Sequence, residues 1–281
     1  MNYLRVEFEL SEDLHELFIA ELMDMDFYGF EQFDDKLVAY IEKQRFNDSN
    51  REYLEQLVAA YSGDSIMEFE DIPEQNWNQS WEQTIQPQRI GKFLVKPTWS
   101  TERPVDDEIV LEVDPKMSFG TGYHTTTRLV LKQIQGMDLK DKVILDAGTG
   151  TGILAIAAIK LGARKAIGFD IDSWSRDNAH ENSFLNKVND SFEVRFGGIE
   201  TIDDHELFDL ILANINRNVL IEILPDLVNH LNHDDGMICL SGLLHTDEDA
   251  IRDRLYEMPV QVSDVEREEE WILMEIQKVA E

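Results

Sequence analysis

Apolar and polar positions alternate at the start of the chain. Leu4, Val6, Phe8 and Leu10 fall on one side of an extended segment, as in a half-buried strand. Ser11 stands where it can cap a helix that carries Leu14, Leu17, Phe18 and Leu22 at three- and four-residue spacing. Two short strands are predicted over 28–33 and 37–42, broken at Asp34-Asp35. A second helix near 49–61 places Leu54, Leu57, Val58 and Tyr61 on one face, and 65–71 reads as a fourth strand. The order β-α-β-β-α-β predicts a small α+β domain of ferredoxin-like type over residues 1–71. Nothing in it has the pattern of a catalytic site, so it reads as a docking module.

The pattern changes at Ile72. A linker helix is expected over 72–88, with Trp77 and Trp81 four apart on one face. These rings would staple the linker to a neighbouring domain, with direct substrate contact as the alternative. Strands follow over 93–99 and 109–113. From there to the end of a second domain (89–281), strands and helices alternate. Strands are expected near 142–146, 166–170, 192–196, 208–213, 236–241, 259–265 and 270–276, and helices near 124–135, 152–161, 173–186, 217–231 and 246–256. Such alternation predicts a mostly parallel sheet covered by helices on both faces. The last two strands are joined by the short acidic turn Glu266 to Glu270 and can form only an antiparallel hairpin.

The first strand of that sheet leads into Asp146-Ala147-Gly148-Thr149-Gly150-Thr151-Gly152 and then an apolar helix. Glycines at alternate positions let the backbone turn sharply and approach a ligand closely, and the helix points its free N–H groups back at that ligand. The second strand ends in Asp170, 22 residues after Gly148, where a carboxylate can accept from both hydroxyls of a ribose. The pattern therefore predicts a nucleoside-containing cofactor. A dinucleotide site requires Gly-x-Gly-x-x-Gly, which would put glycine at 153, and that residue is Ile153. The observed Gly-x-Gly-x-Gly resembles the spacing of S-adenosylmethionine-dependent methyltransferases. Seven strands closing in a hairpin are the class I arrangement of those enzymes, a Rossmann-like fold.

Charge sharpens the picture of the partner. The chain of 281 residues holds 57 acids against 25 bases, a net −32. Such a field disfavours direct nucleic-acid binding, which needs basic surface, and favours a cationic partner. Residues 1–75 carry 20 acids and 5 bases, so negative charge is densest in the first domain. A basic protein is the partner this suggests. No apolar run of 18 residues is present, so no membrane span is expected. The first residues alternate and carry acid, unlike a signal peptide. The single cysteine, Cys239, sits in an apolar run, is expected to be inert core, and fits the cytoplasm. A monomer is expected.

Two further segments should meet at the carboxyl ends of the strands. One is the strand ending Leu212-Ala213-Asn214-Ile215. The other is Phe119-Gly120-Thr121-Gly122-Tyr123-His124-Thr125-Thr126-Thr127. Together with the glycine turn and Gly168-Phe169-Asp170, these strings resemble the ribosomal protein L-eleven methyltransferase family (PrmA). The resemblance covers about two thirds of the chain, from the paired tryptophans to the final hairpin. It departs at Thr149, where relatives often carry cysteine, and at the variable position Thr125. It implies that Thr127, Gly148, Asp170 and Asn214 contact the cofactor S-adenosyl-L-methionine, with Gly150 in the same turn. It also implies that the substrate is the basic ribosomal protein L-eleven, through the ε-amines of lysine and the α-amine.

Bland readings stand beside these. Thr127 can be a first-turn helix residue, Asn214 a strand-ending turn residue, and His124 a helix cap. Phe119 is placed to cover the cofactor or the target amine, and Asn214 to orient the amine nitrogen as a catalytic group. His230 and His233 lack the company a metal site needs, so none is expected. The alternative activities are a small-molecule methyltransferase, a glutamine methyltransferase and a non-catalytic acidic adaptor for the ribosome. A glutamine-directed enzyme would show Asn-Pro-Pro-Tyr where this chain has Asn214-Ile215-Asn216-Arg217.

Overall fold

A computed structural model describes residues 3–61, 67–72, 85–116, 118–232 and 236–279. By its internal contacts the chain divides into two compact units, Met1–Gln79 and Ser80–Glu281. The expected linker helix with Trp77 and Trp81 falls almost entirely outside the described residues.

In the first unit the elements are β1 (Tyr3–Glu9), α1 (His15–Met23), β2 (Gly29–Phe33), β3 (Lys36–Glu42), α2 (Asp48–Tyr61) and β4 (Met67–Ile72). The strands pair antiparallel in the order β2-β3-β1-β4. Register follows the alternation: Leu4 faces Ile41, Val6 faces Ala39 and Phe8 faces Leu37, so the centre of one side of the sheet is apolar, with Gln32 and Asp71 on its edge strands. That side packs on Phe18 and Leu22 of α1 and Leu54, Leu57 and Val58 of α2. Tyr61 lies on the same face, its ring edge-on to Phe18 at 6.5 Å, with about half its surface still exposed at the helix end. Ser11 makes no side-chain cap. The chain first takes a 3₁₀ turn over Glu12–Leu14, and α1 begins only at His15.

Within the second unit, β5 (Gln88–Ile90), β6 (Phe93–Lys96) and β7 (Ile109–Glu112) form a small separate sheet. The strand expected over 93–99 stops at Lys96 because Pro97 brings no N–H to continue a ladder. Next come α3 (Thr125–Ile134), β8 (Val143–Ala147), α4 (Ile153–Lys160), β9 (Lys165–Asp170), α5 (Ser173–Leu185) and β10 (Phe192–Phe196). The chain continues through β11 (Leu210–Asn214), α6 (Arg217–Asn229), β12 (Met237–Leu244), α7 (Glu248–Leu255), β13 (Val260–Glu268) and β14 (Trp271–Lys278).

The main sheet has the order β10-β9-β8-β11-β12-β14-β13. Its first five strands are parallel, and β14 lies antiparallel between β12 and β13. The central strands are nearly continuous apolar runs because helices bury both faces. Ile144, Leu210 and Leu212 enter the core on one side, while Leu145, Ala147, Ile211 and Ala213 enter the core on the other. Each leucine or isoleucine among them contributes about 1.5–3 kcal/mol by leaving water. Strand order reverses between β8 and β11, which opens a crevice beyond their carboxyl ends.

Candidate active site

The glycine turn occupies that crevice. Gly148 and Gly150 adopt φ of 70° and 55°, which side chains other than glycine rarely hold. Space is as restrictive as conformation. A Cβ on Gly148 would lie 2.2 Å from Ile215 Cγ2, and one on Gly150 would lie 2.3 Å from the Phe119 carbonyl oxygen. Two distant segments are thus pressed onto the turn. The Phe119 carbonyl accepts from Thr151 N at 2.9 Å, and the Thr151 hydroxyl donates to the Gly120 carbonyl at 2.6 Å. The Phe119 ring itself is half exposed.

Asp170 ends β9 beside the turn. Its Oδ2 accepts from Gly150 N at 2.9 Å and its Oδ1 from Asp172 N at 3.0 Å. Each oxygen keeps a further acceptor site. The carboxylate is therefore locked in orientation and still able to take a pair of hydroxyl donors. Asp146 is different. It belongs to β8 rather than to the turn, is buried, and accepts on Oδ2 from the Thr149 hydroxyl (2.7 Å) and Ala155 N (3.2 Å). Burial, opposed by those hydrogen bonds and assisted by the nearby Asp170 charge, pushes its carboxyl up to about 7.

Asn214 ends β11, one residue before the Ile215 side chain that abuts Gly148. Its Nδ2 donates to the fully buried Thr127 Oγ1 at 3.4 Å, and its Oδ1 is buried with no partner among the described residues. His124 caps α3: its Nδ1 accepts from Thr126 N at 3.3 Å, and its ring lies 5.2 Å from Phe119 and 4.7 Å from Trp271. Burial and the nearby Arg128 charge hold this imidazole below its usual range, so it stays neutral at physiological pH. The expected residues thus fall into two contacting sets, Phe119 with Gly150 and Asp170, and Asn214 with Thr127, joined where Ile215 abuts Gly148.

Three features escaped the sequence reading. Asn178, Asn182 and Asn186 form a buried row along α5, and Asn182 and Asn186 receive the backbone N–H groups of Asp114 (3.1 Å) and Glu112 (3.0 Å). Asn182 also donates to the Thr151 carbonyl at 2.9 Å, so α5 fixes both the glycine turn and the strand entering the Phe119 loop. The four-residue spacing of these asparagines was the available signal. A bulge in β12 sets Gly242 against the Ile215 carbonyl, where a Cβ would lie 2.4 Å away. Asn216 accepts from Val219 N at 3.2 Å and caps α6, which gives the first asparagine after β11 a structural task.

His230 lies at the end of α6 with Nδ1 on the Glu206 carbonyl at 2.9 Å, and His233 lies outside the described residues. Among the described residues no group of three candidate ligands could hold a metal, and no helix is long and apolar enough to cross a membrane. Cys239 is buried and free, and burial pushes its thiol up.

The strand order, the terminal hairpin and the glycine crevice define a Rossmann-like methyltransferase fold. The crystal structure of a ribosomal protein L11 methylase from Lactobacillus delbrueckii subsp. bulgaricus superposes with a TM-score of 0.64 at 32% identity, covering 69% of this chain and 99% of that one. A Chlorobaculum parvum ribosomal protein L11 methyltransferase is 40% identical over 277 residues, spanning 96% of this chain and 95% of its own. The Porphyromonas gingivalis protein of the same name is 38% identical over 265 residues, 88% of each chain. The model of the family described as ribosomal protein L11 methyltransferase (PrmA) matches residues 10–279. The chain belongs to that family.

Proposed function

We propose that this chain is a protein N-methyltransferase that uses S-adenosyl-L-methionine to methylate amines of ribosomal protein L11, the ε-amines of lysine and the N-terminal α-amine. The observation that carries the chemistry is Asn214 Oδ1, a buried acceptor with no donor among the described residues, one position before the Ile215 that abuts the glycine turn. A buried carbonyl left in this state costs about 1–3 kcal/mol, which binding of a donor restores. The relatives' shared name supports the substrate.

The residues present fit the cofactor. Gly148 and Gly150 let the turn take positive φ with Ile215 and the Phe119 carbonyl packed against it, and Asp170 offers an oriented carboxylate to a sugar diol. Phe119 stands against Gly150, and Asn214, with Thr127, precedes the Ile215 that abuts Gly148. When bound, the cofactor supplies a sulfonium-activated methyl group open to displacement by a nitrogen lone pair. The protein's work is then to hold the amine neutral, aimed and dry. A lysine with pKa about 10.4 is neutral at pH 7 only at a cost of about 4–5 kcal/mol, which desolvation at the site must supply. Asn214 Oδ1 accepts an N–H of the amine and turns its lone pair outward, and positioning of this kind supplies much of the rate. His124 Nδ1 is committed to capping α3, so no imidazole base is assigned. The proton leaves to water before transfer.

The acidic first unit is proposed as the recognition domain for a basic protein, with no direct nucleic-acid contact, in an enzyme working as a cytoplasmic monomer. Incubating the chain with methyl-labelled S-adenosylmethionine and the separated large-subunit proteins tests the proposal. Label in L11 alone is expected. Cofactor binding with no labelled protein would refute the substrate, and label in a small molecule or in glutamine side chains would favour the other enzyme readings.

A further inference from the structure

Asn182 of α5 is completely buried and bonds to two separate segments of the chain. Its Nδ2 donates to the Thr151 carbonyl of the glycine turn at 2.9 Å, and its Oδ1 accepts from Asp114 N at 3.1 Å. A backbone carbonyl can only accept and a backbone N–H can only donate, so both ends of this amide are assigned without ambiguity. Asp114 is held on its other sides as well. Asn178 Nδ2 donates to its carbonyl at 2.7 Å, and Thr98 donates its N–H and its hydroxyl to the Asp114 carboxylate, each at 2.8 Å.

These bonds close a ring. Thr151 N donates to the Phe119 carbonyl and the Thr151 hydroxyl to the Gly120 carbonyl, so the loop that leaves Asp114 is fastened again to the residue that Asn182 holds. Lys116, between the two points, pairs with Glu181 of the same helix. The last glycine of the turn is packed against α5 too: a Cβ on Gly152 would lie 3.2 Å from Ala179 Cβ. At its N-terminal end α5 follows closely on Asp170, whose Oδ1 accepts from Asp172 N, and Asp172 caps the helix on Trp174 N and Ser175 N. One helix therefore sets the spacing of the Asp170 carboxylate, the glycine turn and the Phe119 loop.

We infer that Asn182 is a positioning residue for the cofactor: by tying the Thr151 carbonyl to the Asp114 amide, it seats the Phe119 loop on the glycine turn in the form that binds S-adenosyl-L-methionine. The inference rests on the cofactor reading proposed above. Asn186, one helical turn further on, supplies the comparison. It is the same side chain, also buried, but its Oδ1 accepts from Glu112 N at 3.0 Å and its Nδ2 donates to the Glu112 carbonyl at 2.6 Å, so its long-range bonds fasten β7 rather than the turn.

The experiment compares Asn182→Leu and Asn186→Leu with the parent in the full chain. It reads the thermal midpoint and the calorimetric affinity for S-adenosylhomocysteine, the latter at a temperature where each chain is folded. Both variants are expected to lower the midpoint, because each strips buried backbone groups of a partner. Asn182→Leu is expected to bind S-adenosylhomocysteine about tenfold more weakly, the scale of one lost hydrogen bond, with Asn186→Leu within about twofold of the parent. Equal losses of affinity in the two variants, or parent affinity in a folded Asn182→Leu, would overturn the positioning role. Should the leucine variant not fold, Asn182→Asp keeps the shape and the acceptor for Asp114 N, while its ionised carboxylate has no donor for the Thr151 carbonyl. Its affinity relative to the parent is then expected to fall as pH rises from about 6 to about 9, and a flat ratio would overturn the role. If the parent itself does not bind S-adenosylhomocysteine, the cofactor reading fails instead.

Discussion

Glu7 on β1 of the first unit and Asp146 on β8 of the second are both carboxylates within a sheet, and their surroundings are opposite. Glu7 takes Lys36 Nζ at 3.1 Å and the Arg5 guanidinium, and these partners hold it below the usual carboxylate range. Asp146 is buried with a hydroxyl and an amide as donors, and burial pushes it up to about 7. The contrast extends to the units as wholes. In the first, Lys43 pairs with Asp71 and Arg45 with Glu42 and Asp26, yet acids still exceed bases fourfold over residues 1–75. In the second, the glycine turn holds positive φ, and nearby Asn214 Oδ1 is a buried acceptor with no donor among the described residues. Charge left over on one unit suits recognition of a basic partner. A buried acceptor left over beside the glycine turn of the other suits chemistry.

The sharpest way to break this comparison is Asp170→Ala. It removes a carboxylate proposed to take two hydroxyl donors, each charge-assisted bond worth about 1.5–3 kcal/mol, so S-adenosylhomocysteine should bind on the order of 100-fold more weakly or not at all. Unchanged calorimetric affinity would remove the site from β9. Next comes Gly150→Ala. The φ of 55° and the 2.3 Å approach to the Phe119 carbonyl put a Cβ where backbone must move, at a cost of about 1–3 kcal/mol. Thermal denaturation should show a lower midpoint together with weaker cofactor binding; a variant stable and tight as the parent would show that the Phe119 loop does not press on the turn.

The two carboxylates predict opposite pH slopes. Asp146 binds its proton more tightly folded than unfolded, so its contribution to stability falls as pH rises from about 4 to 7. Relative to Asp146→Asn, the parent should lose on the order of 2 kcal/mol between pH 5 and pH 8. Glu7 is lowered, so its contribution is present above the unfolded carboxylate range and is lost on acidification. Denaturant titrations of the parent, Asp146→Asn and Glu7→Gln from about pH 3 to about pH 8 check the signs, and parallel curves for parent and Asp146→Asn would contradict the assignment. The smallest effect is expected from neutralising exposed acids of the first unit together, Glu12→Gln, Glu16→Gln, Asp34→Asn and Asp35→Asn. The KM for L11 should rise about three- to tenfold at low salt and converge with the parent at high salt, with cofactor affinity untouched. A salt-independent KM would deny the first unit its electrostatic role.

Much of this arrangement was legible in the chain. Alternation over Leu4 to Leu10 fixed both the face and the register of β1, because a one-residue slip would expose every apolar side chain. The Glu266 to Glu270 turn was too short for anything but a hairpin, and β13 and β14 pair that way. The Phe-Gly-Thr-Gly string and the glycine turn pointed to the same crevice. What stayed hidden had two causes. Local geometry diverted Ser11, whose expected cap gave way to a 3₁₀ turn, and β5 was too short at three residues for any period to show. Long-range contacts left no trace at all: nothing near Thr127 or Asn214 announces their hydrogen bond, nor that the amide oxygen would be left over.

The most direct test of the account is residue-level mass spectrometry of L11 after incubation with S-adenosylmethionine and either the parent chain or Asn214→Ala. The account predicts methyl increments confined to lysine ε-amines and the α-amine with the parent, and their near-absence with Asn214→Ala under cofactor saturation. Methylation on any other residue type, or equal methylation by the two chains, would contradict it.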